Sequence, residues 1–321
     1  LFNVNSDEEI IFTENCTMAL NTVIFGLLSE GDHVLISSME HNSVTRPLES
    51  LKDKGVTYST FDYSYDDNET VDNVRNLIKP ETKLVICTHA SNVFGFRFPI
   101  ERICALCHAY GILFCVDSAQ SAGVFDIDVG TNQYDFVCMS GHKSLYGPMG
   151  TGVLILNNRN LKPLLYGGTG TESVKKSQPE GLPEKFESGT QNMNGISGLK
   201  AGVDFVKNRG IKNIYNHEYK LAKRLFNGLA NNRKVITYNK SFDYGKVAPV
   251  VSFNIDGVYS EDLVAKLNKY GIMTRGGLHC SPLAHTTRNT IENGTVRVVP
   301  GAFNTINDIN YLLNVIRKLT N

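Results

Sequence analysis

The sequence contains no tryptophan, no excess of charge of either sign and no long apolar run. Its 321 residues include 32 Lys and Arg against 32 Asp and Glu, so the formal net charge at pH 7 is +0. Balanced charge creates no broad electrostatic field for a nucleic acid or an anionic membrane surface. The apolar runs are much shorter than the roughly 18 residues that a membrane helix needs. We therefore expect neither nucleic acid nor a membrane among the partners.

Cysteines are few and odd in number, which argues against a fold built on disulfides. There are seven, and most lie inside apolar runs, where cysteine behaves as a small hydrophobic residue. A reducing cytoplasm is the compartment that fits such a set. The chain also begins at Leu1 without an initiator Met and without the basic and then apolar pattern of a secretory signal. We expect a native N-terminal segment to precede it.

Two α/β patterns follow one another along the chain. Short β-branched runs alternate with helical patterns from Asp32 to about Ile155, as in a mostly parallel sheet. A segment rich in Gly, Ser, Thr and Pro over 167–198 is typical of a long functional loop. A shorter α/β pattern follows it. We therefore predict a large domain over 1–208 and a small α/β domain over 209–321. The strands predicted in the large domain are His33–Ser37, Thr57–Phe61, Lys83–Thr88, Ile112–Val116, Asp135–Met139 and Gly152–Leu156.

The most informative stretch is Ser140-Gly141-His142-Lys143-Ser144, directly after a predicted apolar strand. A lysine at a strand end, among glycines and hydroxyls, is suited to forming a Schiff base, because partial desolvation makes its neutral amine accessible. Taken alone, Lys143 is more often a solvated surface lysine. A phosphate-binding P-loop is excluded, because the Gly-Lys-Ser/Thr order and the upstream glycine spacing are missing.

One predicted strand earlier lies Cys115-Val116-Asp117-Ser118-Ala119-Gln120. An acid at the carboxyl end of a buried parallel strand lies where open α/β sheets bind ligands. An N-cap or an internal salt bridge would explain Asp117 if it stood alone. An Asp for a pyridinium nitrogen and a Lys for a carbonyl are together what pyridoxal phosphate requires of a protein.

Eight motifs, in order along the whole chain, resemble those of the class V aminotransferase family of fold-type I pyridoxal-phosphate enzymes, and within it the cysteine desulfurases and selenocysteine lyases. The resemblance implies a fold-type I large domain with a mostly parallel seven-stranded sheet, a smaller α/β C-terminal domain and pyridoxal 5'-phosphate as cofactor. The motifs lie at 13–21, 39–42, 91–95, 117–120, 140–143, 186–190, 275–280 and 294–297.

Residue by residue, the resemblance implies a cofactor site. Lys143 would form the Schiff base, Asp117 would pair with the pyridine nitrogen, and His41 would stack on the ring. The resemblance also implies an obligate homodimer, in which Thr190, with Gly168 nearby, reaches the phosphate of the neighbouring subunit. The remaining implied cofactor-binding residues are Gln120 at the phenolic oxygen, Thr17, Cys16, Ser140 and His142 around the phosphate, and Asn92.

The substrate side is implied to lie in the small domain. The planar fork of Arg297 would bind the substrate α-carboxylate through two hydrogen bonds, although a surface salt bridge would explain this arginine equally well without the resemblance. Asn92, Arg275 and His279 would lie beside it. Together with Lys143 and His41 in the cofactor site, Cys280 completes the predicted catalytic set.

Cys280 decides which reaction the sequence predicts. It follows Arg275 and His279 on a polar loop, and neighbouring positive charge favours the nucleophilic thiolate. We predict that it takes sulfur from L-cysteine, leaving a persulfide and releasing L-alanine, with Lys143 as the base. The other six cysteines are predicted to be buried and inert. Selenocysteine is a further possible substrate, and a sulfur-acceptor protein a possible partner.

Two alternatives stay open at this point. A plain aminotransferase or another lyase with the same cofactor would leave Cys280 incidental. A catalytically silent scaffold that binds a sulfur carrier is the alternative from outside the enzymes, and the intact Lys143, Asp117 and His41 argue against it. The eight histidines show no spacing that predicts a metal site.

Overall fold

The structure, a computed structural model, describes residues 1–320 and groups the chain into two units. The first unit comprises Leu1–His89 and Phe98–Ile211, and the second comprises Ala90–Arg97 and the chain from Lys212 onward. The sequence placed Ala90–Arg97 in the large domain. It groups with the second unit because its backbone pairs there: Arg97 N donates to Lys246 O at 3.2 Å and Ala248 N donates to Gly95 O at 2.7 Å.

The first unit is built on a seven-stranded sheet. Its strands are β1 (Ile10–Thr13), β2 (His33–Ser37), β3 (Thr57–Phe61), β4 (Thr82–Thr88), β5 (Leu113–Asp117), β6 (Phe136–Ser140) and β7 (Gly152–Leu156). The order across the sheet is β1-β7-β6-β5-β4-β2-β3. Strands β6, β5, β4, β2 and β3 run parallel to one another. At one edge β7 is antiparallel to β6, and β1 is antiparallel to β7. The predicted mostly parallel sheet is therefore confirmed.

Six helices accompany this sheet: α1 (Cys16–Leu27), α2 (Asn42–Leu51), α3 (Asp67–Arg75), α4 (Ile100–Ala109), α5 (Val129–Asn132) and α6 (Met193–Arg209). Helix α1 begins where Asn15 Oδ1 accepts a hydrogen bond from Met18 N at 3.0 Å. Helix α2 begins where His41 Nδ1 accepts one from Ser43 N at 3.1 Å. Such N-caps satisfy amide donors that have no partner inside the helix. They also place the first turns of α1 and α2 immediately after β1 and shortly after β2.

As far as Thr320, the second unit has a three-stranded antiparallel sheet and four helices. The strands are β8 (Val235–Thr237), β9 (Val251–Ile255) and β10 (Val296–Val298), in the order β10-β9-β8. The helices are α7 (Ile211–Ala230), α8 (Ser260–Asn268), α9 (Pro282–Thr287) and α10 (Ile306–Thr320). One apolar core, which includes Leu225, Phe253 and Leu312, joins the sheet to α7, α8 and α10. Within residues 1–320, no helix is both long and apolar enough to cross a bilayer.

Candidate active site

Asp117 is the last residue of β5 and is 4% exposed. Its Oδ1 accepts a hydrogen bond from Ala119 N at 2.9 Å and another from the thiol of Cys16 at 3.5 Å. Within residues 1–320 its carboxylate forms no ion pair. A buried carboxylate without a cationic partner is costly, and a protonated ring nitrogen would supply one. This arrangement fits the pyridine ring that the sequence predicts.

Lys143 lies in a tight turn after β6. Gly141 N donates to Thr151 O at 2.8 Å, and Tyr146 N donates to Lys143 O at 2.9 Å. A Cβ on Gly141 would lie 2.2 Å from Thr151 Oγ1, so only glycine fits this position. Burial, and after it the charge of Asp117, raises the pKa of the Cys16 thiol well above its usual range, whereas the Lys143 ammonium acts in the opposite direction. The structure thus brings Lys143 into electrostatic range of the cluster around Asp117.

The first turns of α1 and α2 are joined by a short chain of side chains. Thr17 Oγ1 lies 2.7 Å from Ser43 Oγ, and Ser43 Oγ lies 2.7 Å from His41 Nδ1. Sequence reasoning selected Thr17 and His41 but missed Ser43. The only signal for Ser43 was a hydroxyl two residues after a histidine at a helix start.

The start of α1 is suited to binding an anion. A Cβ on Gly152 would lie 2.6 Å from Asn15 Cα, so glycine lets the helix start pack directly on β7. Backbone N–H groups and the helix dipole attract anions at such an end, and Cys16 and Thr17 occupy the first turn. The Cys16 thiol itself is directed to Asp117.

Three further predicted residues lie near the ends of β5 and β6. Ser140 closes β6 and is buried, whereas His142 is exposed in the turn after it. Partial burial, and then the Lys143 charge, lowers the pKa of His142 below its usual value. Gln120 is half-buried in the turn that follows Asp117.

Gly168 and Thr190 lie in the long loop between β7 and α6, and both are exposed. Gly189 N donates to Gly168 O at 2.8 Å, which brings the two predicted residues into one neighbourhood of the loop. This part of the first unit is therefore available on the surface.

Glu40 is a buried acid that sequence reasoning missed, although it precedes His41 in the motif Met39-Glu40-His41-Asn42. Its Oε1 accepts hydrogen bonds from Ser37 Oγ at 2.5 Å and Thr88 N at 2.6 Å, whereas Oε2 is buried without a partner. Burial, followed by the charge of Asp117, raises its pKa from 4.5 to about 8. At neutral pH Glu40 is therefore mostly a neutral acid.

In the second unit, β10 carries Arg297. Its backbone N donates to Arg275 O at 2.8 Å, and its Nη1 donates to Asn92 O at 2.7 Å. Burial, and then the neighbouring Arg275 charge, lowers the pKa of Arg297 to about 10, while Cys280 acts in the opposite direction. Arg297 is therefore cationic at neutral pH and lies within electrostatic range of both residues.

Cys280 is the one exposed cysteine, and the other six are buried, as the sequence predicted. It and His279 both have left-handed backbones, with φ of 58° and 52°. The Asn92 side chain holds both neighbours of Cys280: its Nδ2 donates to His279 O at 2.9 Å, and its Oδ1 accepts from Ser281 Oγ at 2.7 Å. In this structure Asn92 is therefore a brace for the Cys280 loop.

His279 carries no charge at neutral pH. Its Nε2 lies 2.9 Å from Thr295 O, a carbonyl that can only accept, so Nε2 bears the proton. Burial, and then the Arg297 charge, lowers the pKa of His279 to about 3. Of the positive charge that the sequence placed beside Cys280, the structure therefore shows that of Arg297. The His279 ring is engaged with Thr295.

Comparison with known proteins agrees with the family resemblance read from the sequence. The family model described as Aminotransferase class-V matches residues 1–312. A probable cysteine desulfurase from Pyrococcus abyssi is 35% identical over 324 residues, which cover 97% of this chain and 79% of the relative. The apo cysteine desulfurase from Thermococcus onnurineus has a TM-score of 0.90 at 33% identity and covers 98% of this chain and 79% of its own. The cysteine desulfurase CsdA (S-sulfonic acid) from Escherichia coli has a TM-score of 0.89 at 28% identity, covering 99% and 80%. The predicted fold class is confirmed.

Proposed function

The chain belongs to the class V aminotransferase family, and we propose that it is a pyridoxal-phosphate-dependent cysteine desulfurase. It converts L-cysteine to L-alanine and takes the sulfur onto Cys280. The observation that carries this proposal is the single exposed thiol, braced by Asn92 and within range of Arg297. A plain transamination needs no nucleophilic thiol.

The residues of the first unit fit the cofactor. Asp117 has one oxygen fixed by Ala119 N and Cys16, and the other oxygen suits a protonated ring nitrogen. Lys143 offers the amine for the aldehyde. Bound there, pyridoxal phosphate supplies an electron sink that stabilises negative charge at the substrate α-carbon. The other residues proposed to hold it are His41 and Gln120 at the ring and Thr17, Ser140 and His142 at the phosphate, with Cys16 acting through Asp117.

The protein groups then have separate tasks. The Arg297 guanidinium binds the substrate carboxylate and orients it. Lys143 Nζ takes the α-proton, holds it, and returns it to the α-carbon as L-alanine forms. Cys280 Sγ, as the thiolate, attacks the substrate sulfur: the Sγ–S bond forms while the substrate C–S bond breaks. The electron pair of that bond stays with carbon, which takes a proton and becomes the methyl group of L-alanine.

The test is Cys280→Ala, assayed for L-alanine and sulfide from L-cysteine with a thiol reductant present. We expect activity below about 1% of the parent, because removing a nucleophile abolishes the covalent route. Cofactor absorbance should be retained. Leu278→Ala is the matched control, because Leu278 is an exposed neighbour on the same loop. After L-cysteine alone, the parent should gain the mass of one sulfur atom at Cys280.

Unchanged L-cysteine turnover in Cys280→Ala with full cofactor occupancy would refute the proposal. The aminotransferase alternative is tested separately, by supplying 2-oxo acids to the pyridoxamine form. Rapid recovery of the pyridoxal spectrum would favour that alternative.

We further propose that the enzyme is a cytoplasmic homodimer whose active sites are completed by Thr190 and Gly168 of the second copy. The exposure of both residues and the seven free thiols support this. Exposed Cys280 is placed to pass its sulfur to an acceptor protein. Sedimentation equilibrium tests the assembly, and a fully active monomer would contradict it.

A further inference from the structure

We propose that Ser43 is a positioning residue that couples occupancy of the anion site at Thr17 to the hydrogen bonding of His41. The coupling passes through one shared hydroxyl group. It rests on the proposed function in one respect, because the assignment of His41 and Thr17 to the cofactor site comes from there.

The backbone determines which imidazole nitrogen of His41 carries the proton. Ser43 N donates to His41 Nδ1 at 3.1 Å, and a backbone amide can only donate. Nδ1 must therefore present its lone pair, and the proton of the neutral ring lies on Nε2. Ser43 Oγ, 2.7 Å from the same Nδ1, then has to be a donor as well.

This assignment sets the direction of the next contact. The single hydroxyl proton of Ser43 points at His41, so the 2.7 Å contact between Thr17 Oγ1 and Ser43 Oγ uses the proton of Thr17. The chain runs from Thr17 to Ser43 to His41. In this state the Thr17 hydroxyl offers no proton to a ligand.

An anion bound at the first turn of α1 changes that order. The Thr17 proton turns to the anion, and Thr17 Oγ1 becomes an acceptor. The Ser43 proton can then turn from His41 to Thr17, which leaves Nδ1 with the backbone N–H alone. His41 thus responds to an anion that does not touch it.

Helix capping does not account for the Ser43 hydroxyl. The N-cap role in α2 belongs to the His41 side chain, which accepts from Ser43 N. Ser43 is 7% exposed, so bulk water does not readily replace its hydrogen bonds. The hydroxyl therefore has no evident task other than joining Thr17 and His41.

The test uses the full chain labelled with ¹⁵N-histidine, first cofactor-free and then cofactor-loaded, with His41→Gln to assign the His41 signal. Inorganic phosphate is titrated into the cofactor-free protein. We expect an unprotonated Nδ1 and a protonated Nε2 at the start, and a saturable shift of the His41 Nδ1 resonance with phosphate. Loading the cofactor should shift it in the same direction.

Ser43→Ala should keep the tautomer, because the amide of residue 43 remains, but should lose the phosphate response. Ser43→Thr should restore the response, and Thr17→Val should abolish it. Ser50→Ala, an exposed hydroxyl on the same helix, is the control that should leave it unchanged.

A protonated Nδ1, no phosphate shift in the parent, or an unchanged shift in Ser43→Ala each overturns the coupling. None of these measurements requires turnover. Failure of the coupling is therefore distinguishable from failure of the desulfurase proposal, which the L-alanine assay decides.

Discussion

Replacing the buried acid Glu40 by glutamine should change how stability depends on pH. Glu40 is fully buried, with one oxygen bonded to Ser37 and Thr88 and the other without a partner. Its pKa rises from 4.5 to about 8, mainly through burial and then through repulsion by Asp117. The folded chain therefore holds this proton more tightly than the unfolded chain does.

The sign and size of this pH effect follow from the linkage between proton binding and folding. Between pH 4.5 and about 8 the folded state binds more protons at Glu40, so the free energy of unfolding falls as pH rises through that window. At about 1.36 kcal/mol per pKa unit, the full loss is about 5 kcal/mol above pH 8. Below pH 4.5 the contribution of this group to the pH dependence vanishes.

Glutamine has no proton to lose, so Glu40→Gln should lack this decline. Its Oε1 can still accept from Ser37 and Thr88, but its buried amide N–H groups lack a partner, which costs about 1–3 kcal/mol. We therefore expect the variant to be less stable than the parent near pH 5 and more stable near pH 9, with a crossover between.

The assay is urea unfolding of cofactor-free protein at intervals from pH 5 to pH 9, with Glu81→Gln, an exposed acid, as the control. The control should follow the parent throughout. Parallel pH curves for Glu40→Gln and the parent would show that Glu40 is not the group responsible, and the reasoning would be refuted.

Three further changes test other parts of the site. Asn92→Ala should release the loop on both sides of Cys280, lowering the rate of sulfur uptake about 10-fold or more while cofactor absorbance stays unchanged. A rate equal to that of the parent would show that the Asn92 hydrogen bonds have no role in sulfur uptake. Arg297→Lys should reduce kcat/KM for L-cysteine by about 10- to 100-fold, mainly through KM, because the planar fork is lost; an unchanged KM would contradict carboxylate binding there. Gly141→Ala should yield little folded protein, because its Cβ would lie 2.2 Å from Thr151 Oγ1, and normal thermal stability would refute that constraint.

The local sequence pattern was sufficient to predict the bounds of strands that are buried on both faces. The continuous apolar runs His33–Ser37 and Gly152–Leu156 predict β2 and β7 with the bounds observed. Strand β1 was missed: it is four residues long, and it lies before the alternating α/β pattern that begins at Asp32. It is a strand through its antiparallel pairing with β7, in which Ile10 faces Ile155 and Thr13 faces Gly152, and no local pattern contains so distant a partner.

The same distinction applies within the candidate site. Asp117 and Lys143 could be selected because each follows a recognisable strand, and parallel strands bring their carboxyl ends to one edge of the sheet. Glu40 and Ser43 could not be selected, because their environments depend on Thr88 and Thr17, which are distant in sequence. The sequence alone does not show which polar side chains, distant along the chain, form hydrogen bonds with each other.

Asn92 illustrates how this matters for chemistry. The resemblance implies that Asn92 lies beside the cofactor and the substrate. In the structure, both the Nδ2 and the Oδ1 of its side-chain amide form hydrogen bonds with residues that flank Cys280. Left-handed backbones at His279 and Cys280 each cost about 1–3 kcal/mol for residues other than glycine. Two buried hydrogen bonds, each contributing about 1 kcal/mol, offset part of that cost. The brace therefore helps to hold Cys280, the proposed nucleophile, in a conformation that the loop alone would leave.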